Sequence, residues 1–143
     1  MKKLSVIIIL LLLLSGCTVQ QSKGLQSNWG EARNGVQASL YTPNPVIKKN
    51  QVIELFVRFR NTQEKRHSLE NSMYHTLYLK HNGKLFGESI GEIELTKGKI
   101  DLGSDDVKDF LLMRLEPKQG SGEYNFSGTL GGYQLPELKV KVE

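Results

Sequence analysis

Ile53, Leu55, Val57 and Phe59 fall on every second residue, with Glu54, Phe56, Arg58 and Arg60 between them. A repeat of two puts successive side chains on opposite faces of a β-strand. One face of that strand is apolar and the other mostly polar, so it belongs to a sheet covered on one side. The same alternation recurs at Val36, Ala38 and Leu40, at Tyr124 and Phe126, and at Leu138, Val140 and Val142. Pro43-Asn44-Pro45 ends any strand that reaches it. His81-Asn82-Gly83-Lys84 lies between the strand-like residues 74–80 and Leu85-Phe86. Asn-Gly supplies the two positive-φ positions of a tight hairpin turn.

Residues 90–95 read as another short strand. Residues 107–115 are apolar on both faces and read as a central strand, with a short helix as the alternative. Residues 61–72 are polar, and 96–106 are rich in Gly and Asp; both are expected to be loops. The result is an all-β chain of seven or eight short strands in about 110 residues, which suits an antiparallel sandwich of the immunoglobulin type. The expected core is Val36, Leu40, Ile53, Leu55, Val57, Phe59, Leu77, Leu79, Leu111, Met113, Tyr124, Phe126, Val140 and Val142.

The first residues carry a different pattern. Met1-Lys2-Lys3 is a short positive segment, and Leu4 to Leu14 is apolar except for Ser5. That run suits a secretory signal and is short for a membrane span. Leu14-Ser15-Gly16-Cys17 follows, with a small residue before the cysteine. The arrangement resembles the lipobox signal of bacterial lipoproteins. The resemblance implies cleavage before Cys17, a diacylglyceryl group on its thiol and acylation of the new amino terminus. A plain secretory signal that happens to end near a cysteine is the alternative. Cys17 is the only cysteine in the chain, so no internal disulfide forms, and lipidation gives the lone thiol a use.

The implied organisation is a signal peptide over 1–16, a lipidated cysteine with a flexible tether over 17–28, and a β-sandwich over 29–143. Residues 18–28 are polar and aperiodic, and fully extended would reach ~35 Å. Thr18 stands where lipoproteins kept at the inner membrane resemble one another in carrying Asp. Outer-membrane placement facing the periplasm is therefore implied if the source has two membranes. Once Lys2 and Lys3 are removed the net charge falls from +4 to +2. No basic run is interleaved with aromatic residues, so nucleic acid is not an expected partner.

Three stretches together look like bacterial immunoglobulin-like envelope modules. They are Trp29-Gly30-Glu31 with Gly35 to Leu40, the segment from Val46 that ends in Arg58-Phe59-Arg60-Asn61, and Leu115-Glu116-Pro117 with Gly122-Glu123-Tyr124 before the final strand. Lys118-Gln119-Gly120-Ser121 separates the Pro from the Gly, a departure from the closing turn of such modules. Some relatives of this general type are proteinase inhibitors; no inhibitory loop carries over residue by residue.

No residue set dictates a reaction. His67, His75 and His81 lack metal-ligand spacing. His75 shares parity with Leu77 and Leu79, so a sheet position is expected; His67 and His81 are expected to be solvated. Asp101, Asp105 and Asp106 lack the order of a calcium loop and read as solvated acids. Gly120-Ser121-Gly122 reads as a turn, and Gly131-Gly132 is too short to cradle phosphate. Trp29 is expected to plug one end of the sandwich rather than serve as a ligand platform. Arg58, Arg60, Lys65 and Arg66 concentrate positive charge at the end of the clearest strand. They form either a charged face that discourages edge pairing or a docking patch for an acidic partner or lipid headgroups.

These features point to a non-enzymatic protein-interaction module at the bacterial envelope, held by lipid on Cys17, with no catalytic residue, metal or cofactor expected. Its partner would be an envelope protein whose identity the sequence leaves open. The alternatives are a periplasmic inhibitor or immunity lipoprotein and a structural lipoprotein of a secretion or surface assembly.

Overall fold

The computed structural model describes residues 28–143. The signal peptide, Cys17 and every tether residue before Asn28 lie outside the described residues. Among those described there are ten strands and no helix. They are β1 (Val36–Tyr41), β2 (Val46–Ile47), β3 (Ile53–Asn61), β4 (His67–Leu69), β5 (Ser72–His81), β6 (Lys84–Glu94), β7 (Ile100–Leu102), β8 (Val107–Leu115), β9 (Gly122–Leu130) and β10 (Tyr133–Val142).

One sheet has the order β1-β3-β8, a second β2-β10-β9-β5-β6, and β4-β7 form a two-stranded ribbon. All pairings are antiparallel except that of β2 with β10. The chain leaves the first sheet after Tyr41, turns through Pro43-Asn44-Pro45 and joins the second at Val46. Proline has no N–H to give a ladder, so it marks where the chain changes sheets. Alternation along β3 places Ile53, Leu55, Val57 and Phe59 fully inside. Leu77, Phe126, Leu135 and Val140 cover them from the five-stranded sheet. Phe59 meets Tyr133 edge-on at 5.6 Å between ring centres, a direct contact across the two layers. This is an immunoglobulin-like sandwich.

The β5–β6 connection is the expected hairpin, with Asn82 at φ 49 and Gly83 at φ 80. Twelve of the fourteen expected core residues are buried; Leu111 and Met113 are only partly so. The reason is a bulge in β8. Leu55 pairs with Met113 but Phe56 pairs with Leu111, which leaves Leu112 as the extra residue and turns it inward. β8 is also an edge strand of its sheet rather than a central one. The two expected loops each contain a strand, β4 and β7, and β7 buries Ile100 and Leu102. Residues 90–95 are not a separate strand; up to Glu94 they continue β6.

Two polar contacts close the corners. The fully buried Tyr124, at the start of β9, donates its hydroxyl to the Gly120 carbonyl at 2.9 Å. This is the tyrosine corner of such sandwiches, formed despite the longer Lys118–Ser121 insertion. The buried Asn61 ends β3. Its amide donates to the carbonyls of Lys65 at 2.7 Å and Gly103 at 3.0 Å, and its Oδ1 accepts from the Gln63 N–H at 2.9 Å.

Burial pushes the Tyr124 phenol above its ordinary value, so it stays a donor across the physiological range. Tyr124→Phe is expected to lower the unfolding free energy by about 1 kcal/mol near neutral pH, read by urea titration with an unchanged m-value. A phenol raised on folding stabilises fully below its unfolded pKa, and the contribution is lost as pH rises through the folded one. The gap between the two proteins should therefore shrink above about pH 10.

Candidate functional site

The outer face of the three-stranded sheet carries the polar alternates of β1, β3 and β8. In register, Gln37 lies beside Arg60, Ser39 beside Arg58, and Tyr41 beside Phe56. Arg58 faces Asp109 on the other side. Its guanidinium grips that carboxylate with two bonds, Nε to Oδ1 at 2.6 Å and Nη2 to Oδ2 at 2.8 Å. It also sits over the Tyr41 ring at 3.9 Å. The hydrogen bond to Asp109 holds the Arg58 charge more firmly than in free arginine. Arg60 donates to the Gln37 side chain at 2.7 Å and lies over the Trp29 ring at 4.3 Å.

Two of the four residues of the expected cationic patch, Arg58 and Arg60, are thus half-buried and engaged within the sheet face. Lys65 and Arg66 are exposed on the turn between β3 and β4. Trp29 does not plug the sandwich. The Gly30 N–H bonds to the Ala38 carbonyl at 2.9 Å, and Gly30 is buried against β10, where a Cβ would meet the Gln134 carbonyl oxygen at 2.1 Å. With Gly30 packed inward, the indole of Trp29 lies on the outside under Arg60.

The histidines divide differently from the expected pattern. His75 is buried, as its parity implied; its Nε2 is 2.9 Å from Ser89 Oγ, and its Nδ1 has no hydrogen-bond partner among the described residues. His67 and His81 are half-buried rather than solvated. His67 pairs with Gln63 at 2.9 Å. His81 pairs with the Ser121 carbonyl at 2.8 Å and packs 4.7 Å from the Tyr124 ring, bracing the tyrosine corner. Asp106 accepts from the Gly103 N–H at 2.7 Å and closes its own turn. Among the described residues no three His, Cys, Asp or Glu side chains come together as a metal site. Two shallow clefts, of about 310 and 460 Å³, share Lys49 and Asn50 at the β2–β3 turn.

The surface that the sequence reading passed over is the outer face of the five-stranded sheet. Along β5, Met73, His75, Leu77 and Leu79 point inward while Tyr74, Thr76, Tyr78 and Lys80 point outward. Across from them on β6 stand Glu92, Ile90 and Glu88. Tyr74 is 62% exposed and Ile90 55%, and Tyr78 and Leu85 are also well exposed. The outward Tyr-x-x-x-Tyr of β5 was the available signal, masked by the apolar alternates that fill the core. Among the described residues β6 is the last strand of this sheet, bonded to β5 on one side only.

No family model matches the chain. No curated protein matches it either. Among solved structures, a CARDB domain of a Pyrococcus furiosus protein, crystallised with di-metal ions, superposes with a TM-score of 0.44 at 17% identity, over 75% of this chain and 91% of that one. The alkylpurine DNA glycosylase AlkC of Pseudomonas fluorescens gives 0.45 at 17% identity, over 78% of this chain and 31% of that one. A β-glucosidase of Listeria innocua gives 0.43 at 11% identity, over 75% of this chain and 16% of that one. This chain therefore spans under a third of the last two proteins.

The engagement of Arg58 predicts a structural part for it. In a double-mutant cycle, Arg58→Ala and Asp109→Ala should show a favourable coupling of up to about 1 kcal/mol in thermal or urea unfolding. Additive losses would place the two side chains apart in solution.

Proposed function

We propose that the protein is a non-enzymatic interaction module of the bacterial envelope, held by lipid on Cys17, and that it takes an extended segment of an envelope protein along the open edge of β6. The observation that carries this reading is the edge itself. β6 runs for 11 residues and ends its sheet. An unpaired strand edge offers a row of backbone donors and acceptors, which is the template for adding a strand from a partner. Backbone bonds supply affinity in that mode, and alternate side chains supply selection.

The side chains on β6 state what would be selected. Glu88 and Glu92 lie on its outward face with Ile90 between them, and Glu94 follows at its end. A second copy of the same edge would set glutamate against glutamate, which is unfavourable across a strand pair. A segment with Lys or Arg flanking an apolar residue complements that column. On the membrane side, Leu14-Ser15-Gly16-Cys17 and the polar run after it support a lipid anchor with a reach of ~35 Å. Two or more acyl chains make such an anchor stable.

Two measurements test the two halves separately. Cys17→Ser should leave the membrane fraction on a carbonate wash; full retention sinks the anchor. A photo-crosslinking side chain at Leu85 or Ile90 should trap a discrete envelope protein, of mass distinct from a second copy, that the same group at Lys65 does not trap. Glu88→Lys with Glu92→Lys should cut that product at least several-fold. Equal trapping from Lys65 would sink the edge reading.

A further inference from the structure

We infer that one end of the sandwich, the end from which the chain enters, docks on an anionic phospholipid surface, a reading that rests on the lipid anchor proposed above to bring that surface within reach. The path of the entering chain picks out the end. Arg33 bridges to Val36, the Gly30 N–H bonds to the Ala38 carbonyl, and the Asn28 carbonyl accepts from Ser39. Followed backwards from Arg33, the chain therefore runs beside β1 from Val36 towards Tyr41 and leaves the domain at the Tyr41 end. Tyr41 pairs with Phe56 and Ile53 with Leu115, so β3 begins and β8 ends there. Residues 48–52 and 116–121 connect the two sheets at the same end, where Val142 pairs with Gly122, Tyr124 with His81, and His81 with Lys84.

Charge identifies the surface. Lys48, Lys49, Lys84, Lys118 and Lys141 are all exposed at this end. The acids beside them are Glu116, 3.9 Å from Lys118, and Glu143, 3.4 Å from Lys141. Further from the tip, Glu123 and Glu54 are offset by Lys139 and Arg114. Lys48, Lys49 and Lys84 have no ion pair among the described residues. The opposite end has no such excess, since Glu64, Glu70, Glu94, Asp105 and Asp106 offset Lys65, Arg66, Lys97 and Lys99. The tip near the tether is thus positive, and the phosphates of an anionic headgroup layer attract such a tip.

Shape supports the same surface. The two shallow clefts, of about 310 and 460 Å³, both lie at this end. Lys48, Lys49, the Asn50 amide and the Ser121 hydroxyl line the larger one, and each can donate to a phosphate oxygen. Lys49 and Lys118 line the smaller one with Val52, which is 45% exposed. A lysine near an anionic surface strengthens binding about five-fold, within a Debye length of roughly 10 Å at 0.1 M salt. That is modest, but residues 18–28 hold the domain within ~35 Å of the lipid. The local concentration is then in the millimolar range, where modest affinity fills the contact.

The test uses the chain from residue 17 with Cys17→Ser, whose core is formed wholly by residues from Val36 onward. At low salt it should pellet with vesicles of mixed phosphatidylcholine and phosphatidylglycerol and not with phosphatidylcholine alone, and about 0.5 M NaCl should release it. Lys48→Glu with Lys49→Glu should lower the binding constant at least about ten-fold. Both side chains are exposed and unpaired among the described residues, so the fold does not depend on them. Lys65→Glu with Arg66→Glu changes the net charge equally and should leave binding within about two-fold. A fluorophore on Val52→Cys, the one thiol in that chain, should shift to the blue on the mixed vesicles, and one on Lys65→Cys should not. No pelleting at low salt, equal pelleting with neutral vesicles, or equal loss from the Lys65 and Arg66 variant would each overturn the proposal. Displacement from vesicles by millimolar inorganic phosphate at constant ionic strength would also overturn it and assign the clefts to a free phosphate. The anchor is read separately, because carbonate at about pH 11 discharges lysine and leaves the lipid to hold the chain.

Discussion

Phe59 against Tyr133, with Leu77, Phe126 and Val140 around them, is what joins the two layers of this protein. No cysteine occurs after Cys17, so no disulfide crosses the gap as it does in antibody domains. The sheets are joined instead by buried apolar area, non-directional and proportional to surface removed from water. Burial of this kind leaves the edges and corners loose, and the directional contacts sit there. Tyr124 fastens the β8–β9 corner, Asn61 fastens the end of β3 to the β7 turn, and Gly30 lets the entering chain lie flat on β10. Each of these groups is buried, so leaving any one unpaired would cost more than the bond itself contributes.

The alternation of two was readable because β3, β5, β9 and β10 each cover the core with one face and meet solvent with the other. It misled where that condition failed. β8 is an edge strand with a bulge, and one extra residue exchanges inside for outside, so Leu112 took the place expected of Leu111. β4 and β7 were missed because a three-residue strand is too short to show a period. Ile100 and Leu102 do alternate with Asp101, but within a Gly- and Asp-rich run that reads as turn. Trp29 was misplaced for a different reason. Its position follows from the backbone approach of Gly30 to Gln134, a contact between residues far apart in sequence.

The candidate surfaces were less legible than the core, and for a physical reason. A run of cations in sequence looks like an unspent charge, yet Arg58 finds Asp109 at 51 residues' separation and Arg60 finds Gln37 at 23. Long-range pairing of that kind leaves no local trace. Conversely, Tyr74 and Tyr78 stand off the parity of Leu77 and Leu79, but aromatic residues favour strands on either face, so their exposure leaves no distinct mark in the sequence. The register with β6 sets them beside Glu92 and Glu88 on the outward face of the sheet.

The point where the chain enters the domain bears on how these surfaces would be used. The Asn28 carbonyl accepts from the Ser39 hydroxyl at 2.7 Å, and Gly30 lies against β10. Entry is therefore beside β1 and β10, and β6 lies three strands from β10 across the sheet. At ordinary strand spacing that is about 14 Å of sheet between the entry point and the free edge. A tether of residues 18–28, ~35 Å when extended, would exceed that distance, so a lipid on Cys17 would leave the domain free to present either margin of the sheet.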